Sequence, residues 1–161
     1  ARVRRGDLHD VMSDPVDLAD LRLRAQRVRR FSHTLDGRTF ELCYPSKFEA
    51  ERIWARHGHD TASVLLDLVT ASLTAWDGVL VGDAVPESKR AAEPLPYSPE
   101  AVALLLEERT DWIKVLGMEI VARMKARHDA IEADRKNSQT ECDTSAAEAT
   151  ATNSPQSVSA H

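Results

Sequence analysis

The chain has 161 residues, 42% hydrophobic and 29% charged, with a net charge of −5 and a mean hydropathy of −0.39. That is the length of one domain with a small core, and no stretch approaches the roughly 20 continuous apolar residues of a membrane-spanning helix. The acidic balance gives no global reason to bind nucleic acid or an anionic membrane. The Arg-rich start lacks the apolar stretch of a secretory signal, and the distant Cys43 and Cys142 fit a reducing cytoplasm better than a disulfide.

Residues 1–26 read as a charged arm. Arg2, Arg4 and Arg5 lead, and Asp7 can cap a short helix as far as Met12. Asp14-Pro15 breaks the chain, and Pro15 can start another short helix with Asp17 and Asp20 near its positive end. Residues 27–44 carry a hairpin signal: Val28, Phe31 and Leu35, then Phe40, Leu42 and Tyr44, flank Asp36-Gly37, a pair suited to a turn whose two central residues need positive φ. The second arm alternates cleanly, with Thr39, Glu41 and Cys43 on its other face. Pro45 ends it. Ser46 and Glu49 then have the spacing of a capping box, opening a helix from Lys47 to about Arg56 that points Phe48, Ile53 and Trp54 toward the core and stops at Gly58. Asp60 can cap the next helix, whose apolar positions Val64, Leu65, Leu68, Val69, Ser72, Leu73 and Trp76 recur at helical spacing until Asp77-Gly78.

Residues 79–96, with Gly82, Pro86, Pro94 and Pro96, form a connection long enough to be either an ordered excursion or a mobile loop. Ser98-Pro99-Glu100 is a helix start, followed by the apolar Val102, Leu105 and Leu106. Thr110-Asp111 reads as a further N-cap. The last helix then runs from about Trp112 to Arg135, with Ile113, Leu116, Ile120, Val121 and Met124 on one face and a charged, protruding end beyond Arg127. Residues 138–161 are rich in Ser, Thr and Ala and cannot bury enough surface to offset their ordering entropy. The expected architecture is mainly α, an α-helical bundle with a small N-terminal β-hairpin over residues 27–137, followed by a disordered tail.

Nothing in this pattern marks an enzyme, a metal or a cofactor. His57-Gly58-His59-Asp60 resembles a ligand cluster, but Gly58 and Asp60 suit a junction between helices, and no Cys-x-x-Cys or His-Glu-x-x-His accompanies them. His128 and Glu132 have the spacing of a surface helix pair. Cys43 lacks any motif of a nucleophile, and Asp77 is most simply a turn former. Arg22, Arg24, Arg27, Arg29 and Arg30 form one basic cluster. It can contact phosphates, as in a nucleic-acid-binding regulator, meet an acidic protein surface, or remain solvated beside Asp7, Asp10, Asp14, Asp17 and Asp20. Trp54, Trp76 and Trp112 each fall near a helix end, where any one left exposed is an anchor for a partner.

Four motifs, taken in order, carry a resemblance: Trp76-Asp77-Gly78-Val79, Pro96-Tyr97-Ser98-Pro99-Glu100, Leu104-Leu105-Leu106 and Arg135-Lys136-Asn137-Ser138. Over roughly residues 38 to 138 the chain resembles the tail assembly chaperones of long-tailed bacteriophages. The N-terminal arginine cluster and the Ser/Thr/Ala tail lie outside that pattern. The resemblance implies a non-enzymatic protein of the host cytoplasm. Such a protein binds the helical tape measure protein, keeps it soluble until the tail tube polymerises, meets tube subunits on release, and self-associates. A structural tail or baseplate part of the virion is the alternative. In the chaperone reading the partner meets an exposed apolar groove between the helices around Val64–Trp76 and Val102–Met124. Trp54, Leu65, Leu68, Leu73, Trp76, Leu105, Trp112, Leu116 and Ile120 are the expected contact residues.

Overall fold

The computed structural model describes residues 16–148, with side chains described as far as residue 139. The short helix expected from Asp7 to Met12, the Asp14-Pro15 break, the Cys142 side chain and residues 149–161 lie outside the described residues. Chain order is α1 (Leu18–Arg29), β1 (Arg30–Leu35), β2 (Arg38–Cys43), α2 (Lys47–His57), α3 (Thr61–Ser72), β3 (Leu73–Asp77), α4 (Val81–Ala84), α5 (Pro99–Glu108) and α6 (Thr110–Glu148). The protein is mostly helical, with a small three-stranded antiparallel sheet ordered β1-β2-β3.

Helix α1 begins where the Asp17 carboxylate accepts the Ala19 N–H at 2.8 Å, and Arg27 and Arg29 sit in its last turn, where the helix dipole favours cations. The first strand therefore starts at Arg30, and Val28 belongs to the helix rather than to the hairpin. Asp36 (φ 51°) and Gly37 (φ 74°) make the two-residue turn that joins Leu35 to Arg38. Phe40 and Leu42 form the buried face of β2, and Tyr44, just past the strand, is buried beside them.

Local chemistry also fixes the next two helix starts. Ser46 and Glu49 form a reciprocal capping box on α2, with Glu49 accepting the Ser46 N–H at 2.8 Å. Those bonds, with Arg29 and Arg52 nearby, hold the Glu49 carboxyl below the usual glutamate range. Gly58 takes φ +57° after the helix, and Asp60 caps α3 through Ser63. Helix α3 stops at Ser72, earlier than its apolar spacing predicts. Leu73–Asp77 is a strand, because the open edge of β2 offers Leu73, Ala75, Trp76 and Asp77 a ladder that one more helical turn could not match. Thr74 is left unpaired in the register shift, where its hydroxyl donates to the Glu41 carbonyl at 3.0 Å.

Residues 79–96 are an ordered excursion. Val81, Gly82 and Leu95 donate their N–H groups to the carbonyls of Glu93, Ala91 and Val79, and α4 sits at its turn. Ser98 caps α5. Helix α6 spans 39 residues, about 58 Å at the usual helical rise. Its backbone at 138–148, expected as the start of a disordered tail, is helical. Lengthening an existing helix avoids the cost of nucleation.

The core joins one face of the sheet to α3, α5 and α6, around the fully buried Phe40, Leu42, Val64, Leu68, Leu105, Trp112, Leu116 and Ile120. Helices α3 and α6 approach so closely that a Cβ on Gly117 would lie 2.9 Å from Leu65 Cδ2. Trp112 packs edge-on against Phe40, with ring centroids 5.3 Å apart, and its indole N–H donates to Asp36 at 2.7 Å. Arg109 lies 3.8 Å over the same indole and also bonds Asp36. Nearby, Arg38 grips Asp83 through bonds of 3.0 and 2.9 Å. Among the described residues, Ser72 Oγ is the buried side-chain polar atom left without a partner. No described helix is long and apolar enough to cross a membrane.

Candidate functional site

The burial pattern relocates the expected contact surface. Leu68, Leu73, Leu105, Trp112, Leu116 and Ile120 are buried in the shared core of α3, β3, α5 and α6, and Leu65 is buried where α3 meets α6 at Gly117. Most of the groove expected between the helices around Val64–Trp76 and Val102–Met124 is filled by the facing apolar side chains of those helices, and an open cavity of about 490 Å³ remains between the start of α3 and the start of α6, lined by Leu65, Leu66 and Ile113 with Ala62, Ser63, Thr110 and Lys114. Trp76 is half-buried on β3. Its indole N–H donates to the Leu95 carbonyl at 2.7 Å and its ring packs edge-on against Tyr97, so both its polar and apolar parts are used internally. Of the expected contact residues, Trp54 is exposed, at 41%.

Trp54 comes to the surface through the geometry of α2. The core-facing positions of that helix are Ala50 and Ile53. Trp54, one residue past Ile53, is turned about 100° from it and lies on the flank. Phe48 lies further round, exposed beneath the Arg52 guanidinium, so it too departs from the expected core position. The flank of α2 faces the distal part of α6, where Met124, Arg127, His128 and Ile131 recur at helical spacing. Ala25 and Arg29 of α1 form the third wall, and Tyr44-Pro45-Ser46-Lys47 forms the end. The result is an open groove of about 530 Å³ with an apolar lining from Ala25, Pro45, Ala50, Trp54, Met124 and Ile131.

The rim is mostly cationic. Arg29, Lys47 and Arg127 line it with His128, against one carboxylate, Glu51, which stands 3.9 Å from Lys47. Arg29 is anchored: its guanidinium donates to the Ala25 and Tyr44 carbonyls and stands 3.7 Å from Glu49. The other arginines of the cluster point outward. Arg24 pairs with Asp20 at 2.8 Å, whereas Arg22, Arg27 and Arg30 are exposed and make no ion pair among the described residues. Asp7, Asp10 and Asp14 lie outside the described residues.

Next to the groove is a second, more polar cavity of about 540 Å³, lined by Gln26, Arg29, Cys43, Glu49, Arg52, Arg56 and Asp67 among others. Its acids and bases are largely paired. Asp67 binds His57 at 2.7 Å and Arg56 at 3.1 Å, and Cys43 Sγ donates to the Gln26 carbonyl at 3.7 Å. Gly58 and Asp60 act as helix stop and cap. Among the described residues, no three His, Cys, Asp or Glu side chains are grouped to hold a metal ion. His128 lines the groove, and the ion pair formed beside it is Lys125–Asp129 at 2.7 Å.

Met124, Arg127, His128 and Ile131 enter the site without having been expected there. Ile131 carries the clearest signal in the sequence, a large apolar residue isolated in the charged end of α6. Comparison of the chain with protein-family models, with curated proteins and with solved structures finds no match.

Proposed function

We propose that the protein is a non-enzymatic binding protein acting as a phage tail assembly chaperone, with the groove between α1, α2 and α6 as its partner site. The groove holds the apolar face of a helix of the tape measure protein and keeps that protein soluble in the host cytoplasm until the tail tube polymerises. The observation that carries this reading is the row of exposed Trp54 and Ile131 with the half-buried Met124 between them, apolar side chains of two helices lining one open groove. Reception of an amphipathic helix in such a groove, with large side chains as anchors, is a recurring mode of recognition. The order of the Trp-Asp-Gly, Pro-Tyr-Ser-Pro-Glu and Lys-Asn motifs supports the choice of partner. Release follows because one groove of this size makes modest contact, and many copies along a long helix share the load. The exposed Arg22, Arg27 and Arg30 favour acidic segments of the partner beside the groove. No cofactor or metal enters this role.

Co-expression with a tape measure fragment tests the reading. The fragment is expected in the soluble fraction only when this protein is present, and no gain in solubility would overturn it. A second reading, a structural part of the virion tail, is favoured by the long projecting end of α6 as an interface element. Mass spectrometry of purified virions separates the two, since a chaperone is absent or sub-stoichiometric there.

A further inference from the structure

The two edges of the small sheet are treated differently. Along β3, residues 95–97 are bonded to the strand. Trp76 donates to the Leu95 carbonyl, the Tyr97 hydroxyl donates to the Leu73 carbonyl at 2.7 Å, and the two rings pack together. Along β1 nothing comparable exists among the described residues. The two-residue turn makes Leu35 and Arg38 a hydrogen-bonded pair, and the alternation continues through His33–Phe40 and Phe31–Leu42 to the bond from the Tyr44 N–H to the Arg29 carbonyl at 3.1 Å. The N–H and C=O groups of Arg30, Ser32 and Thr34 therefore point away from β2. The Arg30 N–H turns back to the Arg27 carbonyl as the cap of α1, and among the described residues no other backbone bond reaches the Arg30 carbonyl or the N–H and C=O groups of Ser32 and Thr34.

Folded proteins usually protect such an edge with proline, a bulge, an inward charge or a covering segment. Strand β1 has no proline and no acid. Its register with β2 is unbroken, and the sheet's one irregularity lies between β2 and β3. Its solvent-facing side chains are Arg30, Ser32 and Thr34.

We propose that the outer edge of β1 is a self-pairing surface, on which β1 of a second copy of this chain adds antiparallel, with Ser32 opposite Ser32. That register is the one that uses all three outward-facing residues. It sets Arg30 of each copy opposite Thr34 of the other, so no like charges meet. The Ser32 pair exchanges both of its backbone bonds, and the Thr34 N–H of each copy reaches the open Arg30 carbonyl of the other, whose N–H stays with α1. The strands join as one continuous six-stranded sheet, with the buried faces of both three-stranded sheets on the same side. The surface is separate from the groove, and the inference does not depend on what the groove binds.

Sedimentation of the full chain over the micromolar range tests it. The unsubstituted protein is expected to dimerise. Ser32→Pro removes an outward N–H that the β1–β2 ladder does not use, so the fold is expected to survive while the dimer is lost. Ser32→Lys sets two like charges across the twofold axis and is expected to give the same loss even if the proline variant fails to fold. Ser32→Cys, with opposed Cα atoms about 5.5 Å apart, is expected to form an oxidised dimer absent from the unsubstituted protein, which keeps Cys43 and Cys142. A monomer at every concentration would overturn the proposal, and so would a dimer that Ser32→Lys leaves intact.

Discussion

The two halves of α6 differ in what lies opposite them. From Trp112 to Ile120 the helix faces α3 and the sheet, and Trp112, Leu116 and Ile120 are fully buried while Val115 and Met118 lie exposed on its outer side. From Met124 to Ile131 it faces the flank of α2 and the end of α1 across an open groove, and Ile131 is 52% exposed. Apolar residues occur in both halves. The first half is core because α3 supplies a complementary face, pressed close at Gly117. The second is surface because α2 has turned Ala50 and Ile53, rather than Trp54, toward the body. An apolar stripe thus becomes core or contact surface according to its neighbour, and composition does not separate the two.

The sharpest way to break this comparison is to truncate one tryptophan from each region. Trp112→Ala is expected to cost about 3–5 kcal/mol, because it removes a buried ring and leaves a cavity beside Phe40. Trp54→Ala is expected to change stability by about 1 kcal/mol or less, since the side chain lies at the surface of α2 and is 41% exposed. Denaturant unfolding of both variants checks this, and equal losses would erase the distinction. Asp36→Ala probes the polar fastening of the same core region. It leaves the buried indole N–H of Trp112 without an acceptor, for an expected loss of about 1–3 kcal/mol in the same assay. Gly117→Ala has the smallest expected effect among the core substitutions. Its Cβ would press on Leu65, and part of that strain, about 1–3 kcal/mol, is returned by the better helix propensity of alanine, leaving a net loss of about 1 kcal/mol. A stabilised Gly117→Ala variant would show that the α3–α6 seam is looser than described.

Much of the fold was legible because it rests on local chemistry. Asp36-Gly37, Ser46 with Glu49, Asp60, and Ser98-Pro99 each act within four residues of themselves, and each does in the structure what its residue type dictates. What was not legible is set by distant partners. Leu73 and Trp76 sit at helical spacing, yet the strand they join is decided by the open edge of β2, far back in the sequence. Val28 reads as part of the hairpin's first arm, and its place in α1 becomes plain only once Arg27 and Arg29 are seen in the last turn of that helix. The site was misplaced for the same reason. Leu65, Leu68 and Leu116 have the strongest periodicity, and strong periodicity is what α3 and α6 use to bury one another. The groove residues carry a weaker pattern: a flanking Trp54, and Met124 and Ile131 amid charges.

The surface proposed for the partner is the groove of α1, α2 and α6 rather than the α3–α6 side, where the helices pack together around Gly117 and a cavity beside Leu65, Leu66 and Ile113 stays open. The most direct measurement is the soluble yield of a tape measure fragment co-expressed with the unsubstituted protein or with a Trp54→Glu, Ile131→Glu double variant, alongside the melting temperature of each protein. The account predicts that the double variant melts with the unsubstituted protein but leaves the fragment insoluble. A double variant that folds and solubilises the fragment as well as the unsubstituted chain would contradict it.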